Sequence, residues 1–152
     1  RGTADERLPM LTYLFDKSLP IMYARDNDSL HFNYGESGEL ECFFVMVPNQ
    51  LAHFSLWEKL QGLYDFPFKC GLFCTLRLIS FSNWTDKVEN DLMLQYPKYL
   101  SLQRMVVAPN KQGTGLGSKC LKAALVEKAD RHQLPVILYT QSPRNVIFYE
   151  RL

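Results

Sequence analysis

Val106-Val107-Ala108-Pro109-Asn110-Lys111-Gln112-Gly113-Thr114-Gly115-Leu116-Gly117-Ser118-Lys119 is the stretch on which the reading of this chain turns. An apolar strand runs into a proline-bearing turn and then into the glycine-rich start of a helix. A junction of this kind offers an anion both free backbone N–H groups and the positive end of a helix dipole, and phosphate is the usual guest. Gly113, Gly115 and Gly117 stand at alternate positions, where the missing Cβ lets an anion approach the backbone. The plainer reading is a glycine-rich helix cap with no ligand, but a cap requires one glycine rather than three.

The spacing selects among phosphate loops. A P-loop places a second glycine where this chain has Ser118, and a dinucleotide fingerprint needs Gly-x-Gly-x-x-Gly where this chain has Gly113-x-Gly115-x-Gly117. About a hundred residues also precede the strand, whereas a dinucleotide fold opens with it. The pattern that fits is Gln/Arg-x-x-Gly-x-Gly/Ala, met by Gln112, Gly115 and Gly117. It resembles the acyl-CoA pyrophosphate loop of the GNAT superfamily of N-acetyltransferases. Downstream, Pro135 to Thr140 reads as a strand and Ser142 to Leu152 as a helix. That order resembles the family's strand followed by a helix carrying Phe/Leu-Tyr, here Phe148-Tyr149. The resemblance covers about residues 100 to 152, a third of the chain. Some fungal and bacterial branches of the family carry a tryptophan-bearing helical insertion between their third and fourth strands, which the stretch of about residues 50–98 resembles.

The resemblance implies an α+β fold with a mixed, mainly antiparallel sheet flanked by helices. It also implies a single acetyltransferase-like domain over residues 1–152, with acetyl-CoA as co-substrate and no metal. Gln112, Gly113, Thr114, Gly115, Leu116, Gly117 and Ser118 would bind the pyrophosphate through backbone N–H groups. Met105, Val106 and Val107 would pair the amides of the pantetheine arm as an added strand, which a buried strand can do without changing side chains. Tyr149 occupies the position of the tyrosine that serves as general acid toward the departing thiolate; a phenol with pKa near 10 stays protonated at neutral pH. Beside Phe148, itself placed among the cofactor contacts, Tyr149 also reads as an ordinary core aromatic. Ser142 stands where the family commonly has Asn, and Asn145 one turn on can compensate. Ser142-Pro143 reads first as a helix N-cap followed by proline at the first helical position.

No carboxylate lies among Leu100 to Ala108 to serve as general base. Glu41 on the preceding strand can reach an amine through water, although an exposed strand carboxylate is the plainer reading. The acceptor, a small-molecule or peptide amine, is not legible. The competing reading is a non-catalytic acyl-CoA-binding or regulatory module; a nucleotide-binding protein comes third and is disfavoured by the loop spacing.

Composition narrows the rest. The 152 residues are 47% hydrophobic and 13% aromatic, enough for one domain with a substantial core and too apolar for disorder. Seventeen Lys plus Arg against 16 Asp plus Glu give a net charge of +1, which points to neither nucleic acid nor a membrane surface. No apolar run approaches the roughly 18 residues that span a bilayer. Cys42, Cys70, Cys74 and Cys120 make no metal pattern, and Cys70 and Cys74 are poorly spaced for a helical disulfide. Packed thiols in a reducing compartment, hence a cytoplasmic protein, are expected. His31, His53 and His132 are scattered. A homodimer is left open.

Along the chain, Asp5 to about Tyr23 reads as a helix that Pro20 kinks or shortens. Leu30 to Tyr34 and Leu40 to Val47 read as a hairpin about Gly35 to Glu39. Leu51 to Leu60 and Phe68 to Ile79 read as two helices, with breaks at Gly62, Pro67 and Gly71. Leu100 and Leu102 share one parity while Met105 and Val107 share the other, which predicts a bulge near Gln103-Arg104. Family resemblance makes that bulge the cause of a cleft between two strands. The usual first strand and helix, the Gly-Phe and the last two strands are not found in the sequence. The fold is therefore expected to be truncated at one or both ends, or completed by a partner or a swapped element.

Overall fold

The computed structural model describes residues 4–52, 55, 57, 64–140 and 142–152. Its internal contacts divide the chain into two compact units: residues 1–27 with 53–97, and residues 28–52 with 98–152.

The first unit is helical. Helix α1 (Ala4–Arg25) contains both Pro9 and Pro20, so Pro20 does not end it, contrary to the shortening its missing N–H predicts. In the same unit, α3 (Phe66–Cys70) is separated from α4 (Leu72–Gln95) by Gly71 at φ 84, a left-handed turn that costs glycine nothing. Pro67 lies in the first turn of α3, where its missing N–H is harmless, so it starts a helix instead of breaking one. The Tyr13 hydroxyl donates to the Asp65 carboxylate, its ring lies 5.9 Å from that of Phe66, and the Lys17 ammonium sits 5.6 Å from the Tyr13 ring centre. The expected helix over Phe68 to Ile79 is thus two helices, and its apolar residues face outward: Phe68 is 90% exposed and Phe73 76%. Of the helix expected over Leu51 to Leu60, Asn49–Ala52 forms α2, which belongs to the second unit, while Phe54, Leu56 and Leu60 lie outside the described residues.

The second unit is a four-stranded sheet in the order β1-β2-β3-β4. Strands β1 (Leu30–Tyr34) and β2 (Leu40–Pro48) form the expected hairpin. β2 and β3 (Leu100–Val107) are antiparallel, while β3 and β4 (Val136–Leu138) run parallel and are joined through helix α5 (Leu116–Ala124). Helix α6 (Pro143–Tyr149) follows. This is the mixed, mainly antiparallel α+β sheet that the sequence predicts.

The core explains the order. β2 is buried at every position from Glu41 to Val47. Cys42, Phe44 and Met46 pack with Leu100 and Leu102 of β3, Leu121 and Ala124 of α5, and Ala129 beyond it. Each large apolar side chain so buried stabilises by about 1.5–3 kcal/mol. Leu116, Cys120 and Leu125 border the same cluster, completing the stripe expected of α5, while Lys119, Lys122, Glu127 and Asp130 are exposed. After Ala124 the winding widens to a π-helix over Leu125–Asp130, closed by Leu134 N–H donating to the Ala129 carbonyl at 2.9 Å.

Candidate functional site

The predicted bulge is present. Phe43 pairs with Val106 and Val45 with Gln103, so Phe44 alone stands opposite both Arg104 and Met105. Arg104 takes φ 54, in the left-handed region that a non-glycine residue enters only when its surroundings hold it there. The consequence lies on the other edge of β3. Its parallel pairing with β4 covers Leu100 to Leu102 and stops at Leu102↔Leu138, just before the bulge. β4 is accordingly three residues long, and the Tyr139-Thr140 continuation expected of it is not strand. From Gln103 to Val107, β3 keeps β2 on one side while β4 has left the other.

β3 then delivers the chain to the glycine loop. A 3-10 turn over Pro109–Lys111 leads to Gln112, whose side-chain amide donates to the Val107 carbonyl at 3.1 Å and folds the loop back on its own strand. Gly113 has φ 80 and Gly115, at the N-cap of α5, φ 83; a Cβ on either would meet nothing within 4 Å among the described residues. These two glycines are therefore required by backbone conformation, and the space beside them is open to a ligand. Gly117 differs. A Cβ there would lie 3.0 Å from Val107 Cγ2 and 3.1 Å from Met105 Cε, so α5 packs closely on β3 and any larger residue would press on those two side chains. Thr114 Oγ1 donates to the Lys111 carbonyl at 2.7 Å and holds the turn, while Leu116 begins the helix and Ser118 follows in its first turn. The loop thus supplies what a pyrophosphate needs: open glycines, first-turn N–H groups and a helix dipole.

Helix α6 closes the group. The Phe148 ring edge lies 3.8 Å from the same Gly117 Cβ position, so Phe148, Met105, Val107 and Gly117 meet at one point. Phe148 and Tyr149 pack edge to face at 5.0 Å and both border the core. Burial pushes the Tyr149 phenol above its ordinary value. Ser142 stands at the N-cap with Pro143 at the start of the helix, but among the described residues no side-chain cap bond forms. Its backbone carbonyl instead accepts from Asn145 N–H at 2.9 Å, and the Asn145 side chain is exposed. The capping role expected of the Ser142 hydroxyl is not realised.

Glu41 is the largest correction. Far from being an exposed strand carboxylate, it is buried, and its Oε1 lies 2.6 Å from Lys111 Nζ while its Oε2 accepts from Asn33 Nδ2 at 3.4 Å. The Ala108 N–H donates to the Glu41 carbonyl at 2.8 Å, which places Glu41 at the loop end of β3 rather than at the bulge. Glu41 and Lys111 line a depression of about 350 Å³ together with Thr114, Gly115, Leu116 and Lys119. The part played by Lys111 escapes a reading by motif, since it precedes Gln112 in an unremarkable turn; its one signal was a basic residue next to the loop.

Residues 79–152, just under half of the chain, match the acetyltransferase (GNAT) domain family. That match supports membership of the GNAT acetyltransferases over this stretch. No solved structure matches it. The GNAT match contains β3 with its bulge, the glycine loop, α5, β4 and α6, and so takes in β3, α5 and α6, which meet at Gly117. Acyl transfer is therefore the general chemistry of this domain. Among the described residues no His, Cys, Asp or Glu cluster is arranged to hold a metal, and no helix is long and apolar enough to cross a membrane.

Proposed function

We propose that this protein is an N-acetyltransferase that moves an acetyl group from acetyl-CoA to a primary amine. The observation that carries this reading is the end of β3–β4 pairing at Leu102↔Leu138 beside the Arg104 bulge, leading straight to the glycine loop. A carrier with pyrophosphate on the N–H groups of Gly113 to Ser118 would run its amide-bearing arm along Met105 to Val107, taking the backbone positions β4 vacates. In this reading residues 100–152 form the acyl-CoA-binding core and residues 50–98 a helical insertion in a single acetyltransferase-like domain.

The reaction is direct attack. The unprotonated amine nitrogen bonds to the thioester carbonyl carbon, the tetrahedral adduct breaks its C–S bond, and the thiolate receives the Tyr149 phenol proton. The amine gives its surplus proton to water. Burial of Tyr149 supports the assignment, because it keeps the phenol protonated and able to donate. Asn145 and Ser142 are proposed to contact the arm from α6, with Phe148 walling it.

Thermal unfolding with acetyl-CoA, CoA, ATP and NADH in parallel tests the carrier. A ligand at a hundred times its dissociation constant adds about 2.7 kcal/mol. Stabilisation by the two CoA compounds alone is expected. A folded protein that answers to neither has no acyl-CoA site, and the glycines are then only structure.

A further inference from the structure

A carboxylate is an odd wall for a phosphate site. Glu41 is buried at the edge of the depression that Lys111, Thr114, Gly115 and Lys119 also line, with its negative charge turned to the loop. Its position is built in. The hairpin turn is closed by Gly35, where a Cβ would lie 2.8 Å from Glu41 Oε1 and 2.6 Å from Glu39 Oε1, so glycine there makes room for both acids. Asn33 holds one Glu41 oxygen and Lys111 the other. The Lys111 ammonium is in turn held more firmly protonated by Glu41 and by the more distant Glu39.

Resting on the acyl-CoA reading above, we infer that Glu41 is a positioning residue that occupies Lys111 in the free protein and so sets the affinity for the carrier's phosphates. An incoming phosphate competes with Glu41 for the Lys111 ammonium and adds Lys119 and the first-turn N–H groups of α5. Lys111 is 38% exposed in its side chain, free to turn toward solvent, whereas Glu41 at 11% is fixed. The mobile partner is thus the cation, and the fixed one is the anion that opposes binding. Such an arrangement holds the carrier loosely enough for spent CoA to leave. The acceptor amine takes no part in it, since Glu41 sits at the loop end of β3, away from the bulge.

Glu41→Gln keeps the shape and removes the charge; its amide oxygen still accepts from Lys111, while its NH2 replaces the second acceptor and donates to the Asn33 oxygen once that amide turns over. CoA affinity measured calorimetrically at low salt should rise about fivefold, the size expected for two unit charges about 4 Å apart at the dielectric of bulk water. KM for acetyl-CoA should fall with it while kcat moves less. The difference should vanish near 1 M salt, where the screening length is about 3 Å. S-acetylpantetheine, which has the thioester and no phosphate, should show the same KM with either protein. Unchanged or weaker CoA binding by folded Glu41→Gln overturns the inference, as does an equal gain for S-acetylpantetheine. If that variant does not fold, Lys111→Met serves: it should weaken CoA and spare S-acetylpantetheine, and unaltered CoA binding overturns the inference equally. A wild-type protein that fails to bind CoA at all refutes the carrier assignment instead, so the two failures are told apart.

Discussion

Three glycines in five residues look equivalent in the sequence and are not. Gly115 is needed for its φ of 83, so Gly115→Ala should cost about 1–2 kcal/mol in strain with no clash. Gly117→Ala meets no φ restriction but presses on Val107 and Met105 at 3.0 and 3.1 Å, and should cost a similar amount by overpacking. A second substitution separates them: Met105→Ala makes room beside Gly117 and should recover part of the Gly117→Ala loss, while leaving Gly115→Ala unrelieved. Denaturant unfolding of the four variants checks this, and equal rescue of both glycine variants would show the assignment of causes to be wrong. Tyr149 is argued at the same scale. Tyr149→Phe should lower kcat by about a hundredfold or more, the lower end of what a positioned acid contributes, and leave CoA affinity unchanged. In the native enzyme the rate should hold on the alkaline side until the phenol ionises, above the usual value near 10 because burial raises it. A variant with full turnover would return Tyr149 to the role of core aromatic and strengthen the non-catalytic reading.

At the scale of elements, the half of the chain that folds on itself locally was legible. The hairpin, the amphipathic stripe of α5 and the shift of parity that marks the Arg104 bulge are all written in short-range periodicity, and each is found. What was hidden depends on partners remote in sequence. Nothing near Glu41 signals Lys111, which lies seventy residues on and is brought to it only by the β2–β3 ladder. The exposed apolar faces of α3 and α4 were hidden too, because periodicity states that a face is apolar and not what covers it. Another long-range pairing lies at the β1 edge. His31 stacks on Phe44 at 4.6 Å with its Nε2 buried and without a hydrogen-bond partner among the described residues. Burial lowers its pKa from 6.5, the Lys128 charge lowers it further, and Glu127 and Asp28 oppose them more weakly. A lowered folded pKa means that the contribution is fully present above the unfolded value and is lost as pH falls through the folded one. Unfolding free energy should therefore begin to drop as pH falls toward the ordinary imidazole value of 6.5, and go on dropping below it until the folded imidazole is protonated too. His31→Phe should make that drop smaller; an identical slope in both proteins would show that His31 does not carry it.

For the whole molecule, the reading makes ligand binding an event of the second unit, where residues 28–52 and 98–152 carry sheet, loop and α6. Its consequence is spatially specific. Amides of β1 and β2 are already paired in the antiparallel ladder, so a ligand adds little to them directly. Two groups differ: the N–H groups of Gly113 to Ser118, where Thr114 has only a long bond to the Lys111 carbonyl at 3.5 Å and Leu116 one to Thr114 Oγ1 at 3.4 Å, and those of β3 past Leu102, where β4 pairing has ended. Hydrogen exchange with saturating CoA should slow at both groups, while pyrophosphate alone should slow only the loop. That contrast separates local bonding from general stabilisation, because a ligand that merely stabilises the fold slows every amide that exchanges by global opening in equal proportion. Protection confined to the loop under both ligands would mean that the arm does not follow β3. The Arg104 bulge would then turn the strand without making a binding edge, and the site would be a phosphate cradle separate from any channel for the acyl group.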